Sequence, residues 1–185
     1  MRLSKRRGDI VTIREIIDRI DEAAGRLGAG RDAVRFFLLM RSYDAHLDLE
    51  TNILTQQTAE NPLYYVQYAH TRLCSILREA QSADYLGEAE ADLSVLTHPD
   101  ELVLLRKLAD YPAEVLRAAQ ELAPHRLPHF ARELAQAVHQ FYTNCRVLDR
   151  DDPTMSGARL ALVEGTRIVL GNILGLMGIT APEKM

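Results

Sequence analysis

The chain has 185 residues, of which 47% are hydrophobic and 26% charged, so it has ordinary globular composition and enough apolar side chains for a core. A net charge of −4 excludes a broadly basic nucleic-acid binder, although residues 1–41 carry +4 and the remainder −8. No apolar run approaches the roughly 18 residues of a membrane span, and charges occupy the position of a signal peptide. We therefore expect a cytoplasmic protein without membrane contact.

Cysteine and histidine spacing gives no reason to expect a disulfide framework or a metal site. Cys74 and Cys145 are far apart, and each lies among apolar neighbours in a predicted helix, which predicts two reduced core thiols. His125 and His129 have an i, i+4 spacing but no Glu or Cys companion placed as in a known metal site.

The first forty residues predict a basic tail followed by two helices. By composition alone, residues 1–9 are a solvated basic segment. A helix over residues 11–24 has Thr12 as its cap and Glu15 to complete a capping box, and glycines then end it. A second helix begins near Asp32, which is expected to cap its first turn, where its charge complements the helix dipole.

Residues 46–60 give a weaker pattern. The alternation in His46, Asp48 and Glu50 predicts a short strand or an extended lead into the next helix, with these side chains in solvent or capping. A helix over about residues 50–59 is expected to follow. Asn61 as cap and Pro62 as first helical residue then begin another helix.

This helix, residues 61–80, shows two stripes at helical spacing. One stripe is apolar and predicts contact with the core; its members are Val66, Ala69, Leu73, Ile76, Leu77 and Ala80. The neighbouring stripe holds Asn61, Tyr65, Tyr68 and Arg72, and rings beside a guanidinium can stack on unpaired bases and bind a phosphate. A Tyr in this position can equally be a boundary residue with a buried ring and a solvated hydroxyl.

The remaining pattern is helical. An acidic surface loop covers residues 81–95, a helix from Pro99 is broken near Pro112, and a second helix from there ends before Pro124. Residues 127–148 and 155–177 predict two further long helices, separated by an acidic loop. The fold class is therefore all-α.

Several strings, taken together, resemble arginyl-tRNA synthetases, which are class I enzymes. N-P-L-Y-Y-V-Q-Y-A-H-T-R resembles the start of their anticodon-binding domain, and D-A-V-R followed by an apolar run resembles the DALR signature that names this domain. R-L-S-K-R-R-G resembles the loop usually written KMSKS, with Arg in place of its first Lys and its final Ser. L-T-H-P-D-E-L and G-L-M-G-I-T-A-P-E-K-M resemble later parts of the family, so the likeness spans the chain in order.

The resemblance implies a helical bundle of the DALR type over residues 61–185, preceded by a small, mainly helical connecting segment over 1–60 that ends a catalytic region. It implies that the whole enzyme joins arginine to its tRNA with ATP and Mg²⁺, and that this piece, lacking the nucleotide-binding catalytic domain, is inactive alone and binds no cofactor. The arginine tRNA, through its anticodon loop, and that missing N-terminal domain are the implied partners.

By the same resemblance, Ser4, Lys5 and Arg6 contact ATP phosphates. The implied tRNA contacts are Tyr65, Tyr68, Arg72, Arg146 from the long helix, and Met185 at the chain end, which is expected to fold back towards the anticodon region. Two other interpretations remain open: a non-enzymatic helical interaction protein, in which the tyrosine stripe packs against protein, and a free-standing tRNA-binding module.

Overall fold

The computed structural model describes residues 12–45, 51–54, 56–82 and 91–185. In these ranges the chain forms seven α-helices: α1 (Ile13–Ala24), α2 (Ala29–Leu39), α3 (Thr51–Leu54), α4 (Pro62–Ser82), α5 (Pro99–Gln120), α6 (Arg126–Asn144) and α7 (Pro153–Leu176). A short 3-10 helix covers Leu93–Val95. The all-α prediction is confirmed. The basic segment predicted for residues 1–9, the short strand or extended lead predicted for 46–50, and residues 83–90 of the predicted acidic loop lie outside the described residues.

Local capping explains where the first two helices begin and end. The Thr12 hydroxyl accepts a hydrogen bond from the Glu15 amide, and the Glu15 carboxylate accepts one from the Thr12 amide, which confirms the predicted capping box. Gly25 ends α1 with a φ of 62°. Helix α2 starts earlier than predicted, at Ala29. Its second residue, Gly30, lets α1 approach closely, because a Cβ at this position would clash with the carbonyl oxygen of Ile17.

Helix α4 begins at a buried cap. The Asn61 side-chain oxygen accepts hydrogen bonds from the amides of Leu63 and Tyr64, at 3.1 and 3.3 Å, and its amide group donates to the carbonyls of Leu54 and Gln56. The cap prediction is confirmed. The placement of Asn61 on the surface stripe is wrong, because only 5% of the residue is exposed.

Three predicted helix boundaries are also wrong. Helix α5 runs through Pro112 to Gln120. Proline has no N–H to donate to the carbonyl four residues earlier, but Pro112 is exposed, so water can bond to that carbonyl instead. Helix α6 ends at Asn144, because Cys145 takes an extended conformation and turns its thiol into the core. Helix α3 covers four residues of the predicted 50–59 segment, and residues 56–60 are not helical.

One apolar core joins the helices. Helix α4 packs on α6 and α7, α5 packs on the same two helices, and α2 contacts α1, α3, α4 and α6. The core cluster runs without interruption from Ile16 and Phe36 through Val66, Leu134 and Ile173. Residues 12–39 thus share a core with the bundle, and the expected division at residue 60 stays a prediction. Cys74 and Cys145 are buried and free, as expected.

The C-terminal tail is bound along α4. The Gln67 side chain donates to the Thr180 carbonyl at 2.8 Å, and the Thr71 hydroxyl and the ring of His70 bond to the Pro182 carbonyl at 3.0 and 2.9 Å. Further along α4, the Arg78 guanidinium donates to the Glu183 carbonyl. The tail therefore folds back onto α4, whereas the expectation that its end reaches the anticodon region stays a prediction.

The other side of the tail contacts α2. The Asp32 carboxylate accepts the Thr180 amide at 3.1 Å, and Arg35 donates to the Gly178 carbonyl at 2.8 Å. Gly178 has a φ of 64°, and a Cβ would clash with the Arg35 guanidinium. The expectation that Asp32 caps its own helix is wrong: it lies in the first turn of α2 but accepts the tail amide and a bond from Arg31. Its role is structural, as expected.

A buried ion pair fixes the start of α5 against α7. Glu101 is fully buried; one carboxylate oxygen accepts the His98 amide at 2.8 Å, and the other accepts Arg159 Nε at 2.7 Å. Glu101→Ala would leave the charge of the largely buried Arg159 without its carboxylate partner, so we expect the free energy of unfolding to fall by about 3–5 kcal/mol in urea denaturation.

The matched control is Glu133→Ala, because Glu133 pairs with Lys107 at 58% side-chain exposure. We expect this control to cost less than about 1 kcal/mol. Equal losses for the two variants would contradict the importance of the buried pair.

Two histidines, His70 within α4 and His139 on α6, make the free energy of unfolding depend on pH. Burial lowers the pKa of His70 below its ordinary value of 6.5, although the bond to Pro182 opposes this, and burial with the charge of Arg72 lowers the pKa of His139. Because the unfolded chain binds these protons more tightly, we expect the free energy of unfolding to fall as the pH drops below about 6.5. Urea denaturation at pH 7.5 and 5.5 measures this.

His70→Gln retains a donor for the Pro182 carbonyl and does not titrate, so its stability should change less across the same interval. A wild-type stability that is constant or rises as the pH falls would contradict the assignment of buried neutral imidazoles.

Candidate nucleic-acid interface

Aromatic and cationic side chains from α4 and α6 form one surface cluster, which we call the ring face. Its members are Tyr64, Tyr65, Tyr68 and Arg72 on α4, and His139 and Tyr142 on α6. The spacing on α4 predicted Tyr65, Tyr68 and Arg72 but not Tyr64, which the structure places beside Tyr68. His139 and Tyr142 were not predicted, because the sequence of α6 does not show which of its residues lie beside α4 in the fold.

Tyr68 lies at the centre of the ring face. Its ring centroid is 5.9 Å from that of Tyr64, with the planes 9° apart, and 5.7 Å from that of His139, with the planes 20° apart. These spacings are typical of stacked aromatic pairs. Its hydroxyl accepts a short hydrogen bond from Arg72.

Arg72 lies between two tyrosines. Its guanidinium carbon is 4.1 Å from the ring centroid of Tyr142 and 5.0 Å from that of Tyr68. Burial lowers the pKa of Arg72, but hydrogen bonds and charge interactions with the two phenols outweigh it and raise that pKa. The side chain is therefore a fixed cation, and a guanidinium has five N–H donors, more than two phenol oxygens use.

Tyr65 differs from Tyr68 in its surroundings. It packs against the core cluster, and its ring is 4.6 Å from that of His139 with the planes 48° apart. Burial raises the pKa of its hydroxyl, and the charge of Arg132 opposes the rise. Tyr65 is thus half-buried at the edge of the core, which fits the boundary interpretation of its spacing better than that of a free ring.

His139 fills the space between the two tyrosines that were predicted from sequence. Its ring contacts both Tyr65 and Tyr68, and its Nε2 is buried without a hydrogen-bond partner among the described residues. A neutral imidazole at this position packs as a planar spacer. It sets the separation of the two phenol rings across the α4–α6 contact.

Arg146 does not lie on a helix, so its expected position on the long helix is wrong. It follows the end of α6, its side chain is 72% exposed, and Nη1 is 3.5 Å from the Asp149 carboxylate. Its carbonyl accepts a hydrogen bond from Arg159, which fixes the backbone here. The guanidinium therefore extends into solvent four residues after Tyr142.

No contact among the described residues places Met185 beside the rings. The tail runs parallel to α4, passing Gln67, Thr71 and then Arg78, so the chain end lies towards the C-terminal end of that helix. Met185 itself is 56% exposed. Ser4, Lys5 and Arg6, the predicted ATP-phosphate contacts, lie outside the described residues.

A concave region lies between α5 and α6 and contains none of the predicted tRNA or ATP contacts. Its charges largely neutralise each other: Arg126 pairs with Glu114 at 2.7 Å, and Lys107 pairs with Glu133. Within the described ranges, no three His, Cys, Asp or Glu side chains are grouped closely enough to bind a metal ion. Nor is any helix there long and apolar enough to cross a membrane.

Comparison with known proteins gives one consistent family. The curated arginine–tRNA ligase of Heliobacterium modesticaldum is 50% identical over all of this chain and 32% of its own length, and that of Moorella thermoacetica is 48% identical over the same shares. The chain thus spans about a third of the length of the curated relatives it matches.

Solved structures agree in fold. An arginyl-tRNA synthetase structure from Campylobacter jejuni has a TM-score of 0.76 and 27% identity over 91% of this chain and 35% of that one. The Thermus thermophilus arginyl-tRNA synthetase has a TM-score of 0.70 and 28% identity over 94% of this chain and 31% of that one.

The family model described as the DALR anticodon binding domain matches residues 66–185, which include most of α4 and all of α5, α6 and α7. This match covers well over half of the chain, and the curated relatives match along its whole length. The chain therefore belongs to the DALR anticodon-binding domain family.

Proposed function

We propose that this chain is the anticodon-recognising part of an arginine–tRNA ligase, and that the ring face holds the unpaired nucleotides of the tRNA. The observation that carries the proposal is the Tyr68–Arg72–Tyr142 arrangement, in which a fixed guanidinium lies between two phenol rings at the protein surface. Single-stranded RNA is commonly bound by such combinations of planar side chains and cations.

The chemistry assigns a different part to each group. Tyr142 is 43% exposed and offers a ring to a base, while the donors of Arg72 that the phenols do not use can meet a phosphate oxygen. Arg132, close to Tyr65, and the exposed Arg146 add positive charge around the face. Residues 42–185 carry −8 with these arginines included, so binding should rely on short-range contacts more than on a long-range field.

The predicted contacts therefore carry unequal weight in the proposal. Tyr68 and Arg72 are central, and Tyr142 joins them on structural grounds. Tyr65 supports the face from the core edge through His139. Arg146 and Met185 stay as peripheral candidates because of their exposure and position in the chain.

The activity of the whole enzyme is part of the same proposal. We propose ATP-dependent arginylation of tRNA with Mg²⁺ in the cytoplasm, with Ser4, Lys5 and Arg6 on the ATP phosphates. These residues lie outside the described ranges, so the nucleotide chemistry is assigned to them by resemblance alone. Residues 1–60 would adjoin the catalytic domain and residues 61–185 would bind the anticodon; this chain alone would not attach arginine to tRNA or hold a cofactor.

Binding of an arginine tRNA anticodon stem-loop, measured by fluorescence anisotropy at fixed salt, tests the proposal. We expect Tyr68→Ala and Arg72→Ala each to weaken binding by roughly tenfold or more, because Tyr68 holds Arg72 and the neighbouring rings in place and one base–ring stack contributes about 1–3 kcal/mol. Arg72→Lys should also weaken binding, since an ammonium keeps the charge but not the planar group between the rings.

Tyr43→Ala and Arg106→Ala are the matched controls, since both residues are exposed outside the ring face. We expect them to change the affinity less than twofold. The RNA-binding proposal would be refuted by wild-type affinity in the ring-face variants, or by equal losses in the controls.

A further inference from the structure

The central ring of the ring face has little free surface for a base. Tyr68 has three planar neighbours: the Tyr64 ring at 5.9 Å, the His139 ring at 5.7 Å and the Arg72 guanidinium at 5.0 Å. A ring has only two faces on which another planar group can stack. The three neighbours therefore leave Tyr68 little free ring surface, and a base needs an adjacent ring with fewer planar neighbours.

Tyr64 is that adjacent ring. Among the described residues its recorded ring partner is Tyr68 alone, and it is not one of the residues packed against the core cluster, unlike Tyr65. It is half-buried, so part of the ring meets solvent. Its amide donates to the Asn61 side chain at 3.3 Å, which fixes the backbone at the first turn of α4.

The ring geometry decides where a base can lie. Stacked bases are about 3.4 Å apart, so a base inserted between two rings needs about 7 Å between their planes. The Tyr64 and Tyr68 centroids are only 5.9 Å apart, which excludes insertion between them. At the Tyr64–Tyr68 pair, the position left for a base is therefore the outer side of Tyr64, where a base parallel to the ring would continue the pair, whose planes are 9° apart.

We infer that Tyr64 is a stacking platform for one unpaired nucleobase of the bound RNA, at the N-terminal end of the ring face. This inference rests on the proposed function and adds a position to it: the base on Tyr64 is distinct from any nucleotide held at Arg72 and Tyr142. Tyr64 acts through its ring face alone, so a phenylalanine should replace it and an aliphatic side chain should not.

The test uses the 185-residue chain and anticodon stem-loops of an arginine tRNA that carry 2-aminopurine at one loop position at a time. With wild type, we expect the fluorescence to change at the loop positions that stack on the protein. Tyr64→Leu should abolish that change at one position and weaken binding by roughly tenfold. Tyr64→Phe should retain both the fluorescence change and the affinity, and Tyr43→Leu is the matched control.

The outcomes separate the inference from the function on which it rests. If wild type binds, Tyr68→Ala weakens binding and Tyr64→Leu changes no loop position, Tyr64 is not a platform while the proposed function stands. Weaker binding by Tyr64→Leu with every fluorescence change retained also overturns the inference, since it indicates a structural role. If wild type shows no saturable binding of any stem-loop, the proposed function fails and the inference with it.

Discussion

The burial of one side of α4 against α6 and α7 is the constraint on which the rest of the structure depends. Val66, Ala69 and Leu73 have at most 1% of their surface exposed, so the helix cannot rotate without bringing apolar area into water. Each large apolar side chain buried in this way contributes about 1.5–3 kcal/mol. Rotation of α4 is therefore costly, and the direction in which Tyr64, Tyr68 and Arg72 project is fixed by the core.

Helix α6 completes the ring face because the same core fixes it too. Val138 and Phe141 are fully buried, and their neighbours in sequence, His139 and Tyr142, therefore lie at the edge of the α4–α6 contact. The tail from Gly178 to Glu183 holds α4 from the other side and links it to α2 through Asp32 and Arg35. The ring face is thus built from two helices, and residues outside the ring face hold each helix in place.

The sequence predicted what depends on neighbours along the chain. The capping box of Thr12 and Glu15, the Asn61 cap, the apolar stripe of α4 and the adjacent Tyr68 and Arg72 all follow from local spacing. Spacing alone failed where a tertiary contact decides: Asn61 is buried by its bonds to Leu54 and Gln56. The same limit hid Tyr142 and His139.

The boundary errors have the same origin. A proline normally ends a helix, but Pro112 lies on an exposed face of α5, and the packing of α5 against α6 and α7 keeps the helix continuous. Cys145 has no helix-breaking chemistry of its own; its burial in the core ends α6 and moves Arg146 off the helix. The resemblance of the sequence strings identified the family, whereas the arrangement of rings required the fold.

Photo-crosslinking of an arginine tRNA anticodon stem-loop with 5-bromouridine in its loop, followed by mass spectrometry of the linked peptides, tests most directly whether RNA meets the ring face. We expect crosslinks on residues 64–72 of α4 and 139–146 at the end of α6. Crosslinks confined to α1, to α5 or to the cleft between α5 and α6 would contradict this account.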